Sequence, residues 1–355
     1  MSAYVESILQ GGAAYQASTW IRRCRIVFTA KEPLAEDSQA TKAAESYFGP
    51  SGKKSGLRVV LGDNEGDNFN IKITGTKNIA LTKDGGTIEI SNVAYDTIAL
   101  IQALKLYRIE IWVGYANNSS LMRFAKGEVT YMTQKIQARQ TSTLYITYAS
   151  ELVATWSQHR INFNIRSGTN VYAMLNYLFM KEGTEKVNIT PELKNLVSDN
   201  IISEYGTTSN IVEASVSNSS SGIFLSADSS LDDKVINVTT IDEKRIIPID
   251  LDLINIGGGH PTITSQGLNI TLFPVIHLVP GDILKIENSF LDITQGMTTP
   301  ESVKSTFNTN YIDPNGCYMI RTINYMFENR GNNFYMRCQC IALSVYSGVT
   351  GIAEG

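Results

Sequence analysis

Hydrophobic and polar residues alternate with a period of two through two separate stretches of this chain. In the first half the alternation runs through Thr87-Ile-Glu-Ile-Ser-Asn-Val93, Tyr107-Arg-Ile-Glu-Ile-Trp-Val-Gly-Tyr115, Phe124-Ala-Lys-Gly-Glu-Val-Thr-Tyr131 and Thr143-Leu-Tyr-Ile-Thr-Tyr148. In the second half it runs through Leu268 to Ile276, Leu278 to Glu287, Cys317 to Tyr325 and Phe334 to Leu343. Successive side chains of a strand point to opposite faces, so this period predicts half-buried antiparallel strands. Ile109, Ile111 and Val113 share one face, as do Leu144, Ile146 and Tyr148. Phe334, Met336, Cys338 and Cys340 line one side of the last strand, with Tyr335, Arg337 and Gln339 on the other. Earlier strands are expected at 22–28, 57–61 and 69–74, and the Asp-Gly of Lys83-Asp-Gly-Gly86 predicts a hairpin turn.

Between the two stretches the period changes. Val171, Met174, Leu175, Leu178 and Phe179 form a helical stripe, with caps offered by Ser167 to Asn170 and a stop at Gly183. Thr190-Pro-Glu predicts a second helix start, with Thr190 as N-cap and Pro191 in the first turn. The fold class is therefore mainly β with a smaller α/β part. The expected layout is an N-terminal arm (1–20) and a first antiparallel β-barrel (21–158) with an excursion over 31–56. A middle α/β lobe (159–260) leads to a second β-barrel (261–347) with an excursion over 291–316, and then to a C-terminal tail (348–355).

Composition points toward an assembly component. Charged residues make up 18% of the 355 residues, against roughly 25% in a typical soluble protein. Together with 17 Tyr, that low charge suggests a surface partly covered by neighbours. The formal net charge of −4 gives no footprint for a phosphate backbone. Cys24, Cys317, Cys338 and Cys340 fit neither a disulfide framework nor a zinc site, which suits a reducing compartment. The opening Met-Ser-Ala-Tyr-Val-Glu has no signal-peptide pattern, and no apolar run approaches the roughly 20 residues of a membrane span. A soluble chain with no membrane partner is expected.

Candidate chemistry is mostly excluded. His159, His260 and His277 are scattered, with no nearby cysteine or acidic partner to complete a metal site. No Gly-x-Ser-x-Gly elbow is present. Counted from Asp63, a calcium loop would need an acidic residue at Thr74, so Asp63-Asn-Glu-Gly-Asp67 reads as a solvated turn. Gly257-Gly-Gly259 lacks the Gly-Lys-Ser/Thr of a phosphate cradle and reads as a connector. Asp232-Asp233 and Asp242-Glu243 have no spacing that would set them across a cleft. Arg22, Arg23, Arg25, Lys53 and Lys54 read as solvated faces. No catalytic residue, cofactor or metal is expected.

The order of the β motifs resembles that of the baseplate hub proteins of phage tails. Thr87 to Val93, a spacer with Asp96-Thr-Ile98, and Ile109-Glu-Ile-Trp-Val-Gly-Tyr115 look like that family's opening. Arg123-Phe-Ala-Lys-Gly-Glu-Val129 is similar to its next strand, and Asn170-Val-Tyr-Ala-Met-Leu175 to the helix that opens its middle domain. Leu278-Val-Pro-Gly-Asp-Ile-Leu-Lys-Ile286, Gly316 to Ile323 and Asn333 to Ile341 resemble its closing elements. The resemblance covers 70–180 and 268–345. It implies a homotrimer whose six tube-protein-like barrels form a pseudo-sixfold ring, and barrels in that family can be built from discontinuous segments. Implied partners are the tail tube or a distal tail ring, the central spike and the C-terminus of the tape measure protein. DNA passes only transiently through the lumen.

The implied place is the tip of the virion tail, after assembly in the host cytoplasm. The implied role is to adapt a sixfold tube to a threefold spike, initiate the tube and line the DNA channel. On this reading Trp112, Tyr115, Tyr131, Tyr148, Tyr325 and Tyr335 are expected contacts to other subunits or to the tube. A tail-associated carbohydrate-binding β module and a cell-wall hydrolase are the alternatives.

Overall fold

The computed structural model describes residues 22–30, 58–62, 69–79, 84–115, 121–138, 141–150, 160–166, 168–170, 173, 176–179, 186–189, 202–208, 224–227, 235–239, 246–255, 260–264, 267–274, 278–287, 292–293 and 315–343. The N-terminal arm, the 31–56 excursion with the short helix expected over 41–48, the helix start at Thr190 and the C-terminal tail lie outside them. So do the Gly257–Gly259 connector and most of the 291–316 excursion.

The first alternation becomes β1 (Arg22–Thr29), β2 (Arg58–Leu61), β3 (Asn70–Asn78), β4 (Gly85–Ser91), β5 (Arg108–Tyr115), β6 (Met122–Ala138) and β7 (Thr141–Ala149). Their order is β3-β4-β7-β6-β5-β1-β2, every neighbour antiparallel. Ile109, Ile111, Val113, Leu144, Ile146 and Tyr148 all point into the core. One element differs from expectation. The spacer between β4 and β5 is a helix, α1 (Tyr95–Ala103), which buries Ile98, Leu100 and Ile101. Its N-cap is Ala94 with no side-chain hydrogen bond, so the usual start signal is missing.

The middle region is mixed α/β. β8 (Arg160–Ile165) pairs with β10 (Ile202–Thr207), and β9 (Lys186–Ile189), β11 (Phe224–Ala227) and β12 (Val235–Thr239) form a second small sheet. Residues 173 and 176–179 are helical, with Leu178 and Phe179 buried as the stripe requires. Asn170 caps this turn through its Oδ1, which accepts the Ala173 N–H at 3.0 Å.

The second alternation yields β15 (Gly267–Leu272), β16 (Ile283–Lys285), β18 (Cys317–Glu328) and β19 (Phe334–Ala342), with the short β14 (Thr262–Thr264) and β17 (Asp292–Ile293) beside them; β13 (Ile246–Pro248), from the stretch expected in the middle lobe, joins them by pairing parallel with β16. Leu278 to Glu287 is mostly a turn rather than one long strand. Pro280 and Gly281 (φ +95°) take the two central positions, and the Asp282 N–H closes on the Val279 carbonyl at 3.1 Å. Glycine at a left-handed second position is the requirement of a type II turn. The Asp282 carboxylate then accepts the Val279 N–H at 3.0 Å.

The two stretches meet. β18 pairs with β3 from Thr322↔Asn78 to Glu328↔Lys72. Strands from both halves thereby belong to one fourteen-stranded, mainly antiparallel sheet. One hydrophobic cluster runs from Cys24, Ile26 and Phe28 to Met336, Cys338 and Cys340.

Candidate functional site

The β3–β18 seam is where this sequence departs most from generic strand chemistry. One cross-strand row reads Tyr325↔Gly75, Gly75↔Gly86, Gly86↔Tyr148 across β18, β3, β4 and β7. All four positions face the core; Gly75 leaves room for the Tyr325 ring, and Gly86 for the close approach of the β3 backbone. A methyl group on Gly75 would collide with the Tyr325 Oη, and one on Gly86 with the Thr74 carbonyl oxygen. Glycine inside a strand marks such a close approach. Over this gap the hydroxyls of Tyr148 and Tyr325 hydrogen-bond to each other. Gly85 and Gly86 are therefore strand residues, and the hairpin turn lies before them.

Aromatic packing extends the seam. Phe124 of β6 meets Tyr325 and Phe327 edge-on at 4.7 and 4.9 Å, and Tyr115 of β5 meets Phe334 of β19 at 5.2 Å. Each such pair contributes about 0.5–1.5 kcal/mol beyond the area it buries. Arg22 of β1 reaches the turn between β18 and β19, donating to the Gly331 carbonyl with its guanidinium 5.7 Å from the Phe334 ring centroid. Asn329 of the same turn accepts the Ile71 N–H at 2.8 Å and donates to the Phe69 carbonyl at 3.0 Å.

Two charged residues are buried beside this row. Lys77 donates to the Phe124 carbonyl at 2.8 Å, and its ammonium lies 4.1 Å from the Phe124 ring centroid. Asp84 closes the β3–β4 hairpin, its carboxylate accepting the Asn78 N–H at 2.6 Å and its carbonyl the Ser150 N–H at 2.9 Å. Burial raises the Asp84 pKa to about 6, against the opposing pull of the Asn78 N–H and the Lys77 charge. Burial likewise raises the pKa of Tyr148 and Tyr325. It pushes the Cys338 thiol up to about 12, which keeps it an apolar filler. These groups fasten the seam and present no reactive atom to solvent.

The opposite face of the sheet is polar. Thr74 and Thr87 share a 2.7 Å hydroxyl contact, Thr76 donates to Asn324 at 2.9 Å, and Arg123 pairs with Glu110 at 3.3 Å. A shallow trough of about 470 Å³ crosses this face at the seam, lined by Thr74, Gly75, Gly85, Asn324, Tyr335 and Arg337 among others. A second cleft, of about 710 Å³, lies between Pro248–Asp252 and Lys285–Glu287. Among the described residues no group of three His, Cys, Asp or Glu side chains could hold a metal ion, and no helix is long and apolar enough to cross a membrane. His260 is exposed, while His159, His277, the Asp63–Asp67 run and the two acidic pairs at 232–233 and 242–243 lie outside the described residues.

The six aromatics expected at contacts divide cleanly. Tyr148 and Tyr325 come together in the core and Tyr115 packs against Phe334, each 3% exposed, so none has side-chain surface to offer a neighbour. The alternation that places Tyr148 with Leu144 and Ile146 already assigns it inward. Tyr131 is 60% exposed. Trp112 and Tyr335 are half-buried on the outer face, where Trp112 donates to Glu110 at 3.2 Å and Tyr335 to the Met326 sulfur at 3.9 Å. The buried Lys77 and Asp84 escaped the sequence reading, because a charged residue at a strand end reads as solvated.

No protein-family model and no curated protein matches the sequence. Among solved structures, the chain is similar to the E. coli c3393 protein, a component of the type VI secretion system with structural similarity to the T4 bacteriophage tail proteins gp27 and gp5. Identity is 12% and TM-score 0.47, over 77% of this chain and 73% of that one. It is also similar to the 43 kDa tail protein of prophage MuSo2 from Shewanella oneidensis, at 8% identity and TM-score 0.47, over 82% and 95%. A Francisella PdpA-VgrG complex matches at 9% identity and TM-score 0.49, over 97% of this chain and 64% of that one. With TM-scores below 0.5, these likenesses carry no functional conclusion for this chain.

Proposed function

We propose that this protein is a structural subunit of a phage tail, a baseplate hub that assembles as a homotrimer. The order of β motifs along the chain supports this reading, and the observation that carries it is the joined sheet. Two β regions far apart in sequence are fastened into one unit by the Tyr325-Gly75-Gly86-Tyr148 row. A subunit with two such regions presents six of them in a trimer, which suits a threefold object facing a sixfold tube. On this reading 21–158 and 261–347 are the two tube-like units, 159–260 is the lobe between them, and the lumen passes DNA without gripping it. Its partners are the tail tube or a distal ring, the central spike and the tape measure C-terminus. On this reading Tyr131, which is exposed, and the half-buried Trp112 and Tyr335 meet a neighbour. The role is mechanical and needs no catalytic residue, cofactor or metal.

Sedimentation of the purified full chain, together with the protein composition of isolated tail particles, tests the proposal. A trimer and a few copies per particle are expected. A chain that is monomeric at all concentrations and missing from tails contradicts it.

A further inference from the structure

The outer face of the sheet changes character toward β2. Cys24, Ile26 and Phe28 of β1 and Ile109, Ile111 and Val113 of β5 are buried, so the residues between them point away from the core. Register sets these outward residues in rows. One row is Arg25↔Trp112↔Arg123 across β1, β5 and β6. The next is Val60↔Val27↔Glu110↔Lys126, and the third is Arg58↔Thr29↔Arg108↔Glu128, both starting from β2. Arg23 stands beside Gly114, one row further on.

Six cations thus share this face with two carboxylates, leaving four positive charges in excess among the described residues of a chain whose total is −4. Arg58 is exposed and the other five are half-buried. Ion pairs within the face, such as Arg123 with Glu110 at 3.3 Å, order it without removing the excess. Strands lie about 4.8 Å apart, inside the ~8 Å screening length of physiological salt, so neighbouring charges reinforce one another. A gathered excess of one sign steers and orients a partner of the other.

Two features select a protein over a nucleic acid. Trp112 lies half-buried between Arg25 and Arg123, and Trp and Arg are enriched among the residues that dominate protein interfaces. Glu110 and Glu128 interrupt the cations, and a duplex, with its unbroken charge of one per about 1.7 Å, would press phosphates against them. A folded partner can set spaced carboxylates on the arginine forks and leave neutral groups over the glutamates.

We propose that this face docks an acidic surface of a partner protein, whose carboxylates pair with Arg25, Arg58, Arg108 and Arg123 around an apolar socket for Trp112. The proposal rests on the hub reading only for the partner's place in a tail, and goes beyond it in naming the face and its chemistry.

Titrating the full chain with polyglutamate, and separately with a DNA duplex of equal total charge, tests it. Polyglutamate should bind at least about tenfold more tightly than the duplex, and Arg58→Glu with Lys126→Glu should weaken it at least about tenfold. Lys285→Glu, which reverses an exposed cation on β16, should leave binding unchanged. If the double variant fails to fold, Arg58→Gln on the four-residue β2 replaces it and should weaken binding about threefold. A duplex that binds as tightly as polyglutamate overturns the protein partner in favour of nucleic acid. Binding of neither probe, or binding that the β2 and β6 variants leave unchanged, overturns the face. A folded double variant that no longer forms the trimer makes a second copy the occupant and overturns an outside partner. A chain that binds as expected but is always monomeric and missing from tails keeps the face and contradicts the hub reading.

Discussion

Two strand edges in this protein have opposite fates. The edge of β3 is closed within the chain by β18, and everything around it is specialised for closure: paired glycines, two tyrosines whose hydroxyls meet, an aromatic cluster, and Asn329 continuing the ladder past the strand end. The edge of β6 beyond Glu128 has none of these devices and shows polar, weakly charged strand surface instead. An edge sealed internally can be made from residues that fit one geometry only. The specialised chemistry of this molecule therefore marks where it is already joined.

The strongest way to break the comparison is to attack the seam. Gly86→Ala puts a methyl group against the Thr74 carbonyl, where only backbone can yield, and should cost about 3 kcal/mol or more in urea unfolding. At Gly168 a methyl group would meet nothing within 4 Å, but φ is +85°, so Gly168→Ala should show only the smaller cost of backbone strain. Asn329→Ala leaves the Ile71 N–H and the Phe69 carbonyl without their partner and should cost about 1–3 kcal/mol by the same measurement.

Smaller effects sharpen the picture. Tyr148→Phe and Tyr325→Phe should each cost about 1 kcal/mol, and the double variant less than the sum, because both remove the same hydrogen bond; Tyr325→Phe costs more, since Tyr148→Phe leaves the Tyr325 hydroxyl its 3.4 Å bond to the Gly85 carbonyl. Stability should also depend on pH through Asp84. Its folded pKa of about 6 lies above the ordinary 3.8, so the folded state holds this proton more tightly than the unfolded one. The contribution is fully present below about pH 4 and is lost as pH rises through 6. Asp84→Asn should flatten that part of the stability profile in denaturant titrations between pH 4 and 7. Tyr131→Ala should leave the monomer's stability within about 0.5 kcal/mol, since its ring is exposed. Any loss it causes should appear in assembly alone.

Much of the strand content was legible because burial leaves a period of two. β1, β5, β7, β18 and β19 stand close to where the alternation puts them, with Ile109, Ile111, Val113 and the Phe334–Cys340 row buried as expected. α1 was not legible, since Ala94 offers no cap and its run of Ile and Leu residues is shared with strands. The seam was hidden for a different reason. Pairing between Gly75 and Tyr325 is a contact across most of the chain, and local patterns carry no information about it. A signal did exist: Gly75 and Gly86 interrupt otherwise β-branched strands, and such glycines ask what packs on them. Tyr148 and Tyr325 then become candidates for that row rather than for contacts with another subunit.

The hub reading is tested most directly by an image of intact tail particles averaged without imposed symmetry. It predicts three copies of this chain at the distal end of a sixfold tube. Particles in which the chain is missing from the tail end, or sits there in a number other than three, would contradict it.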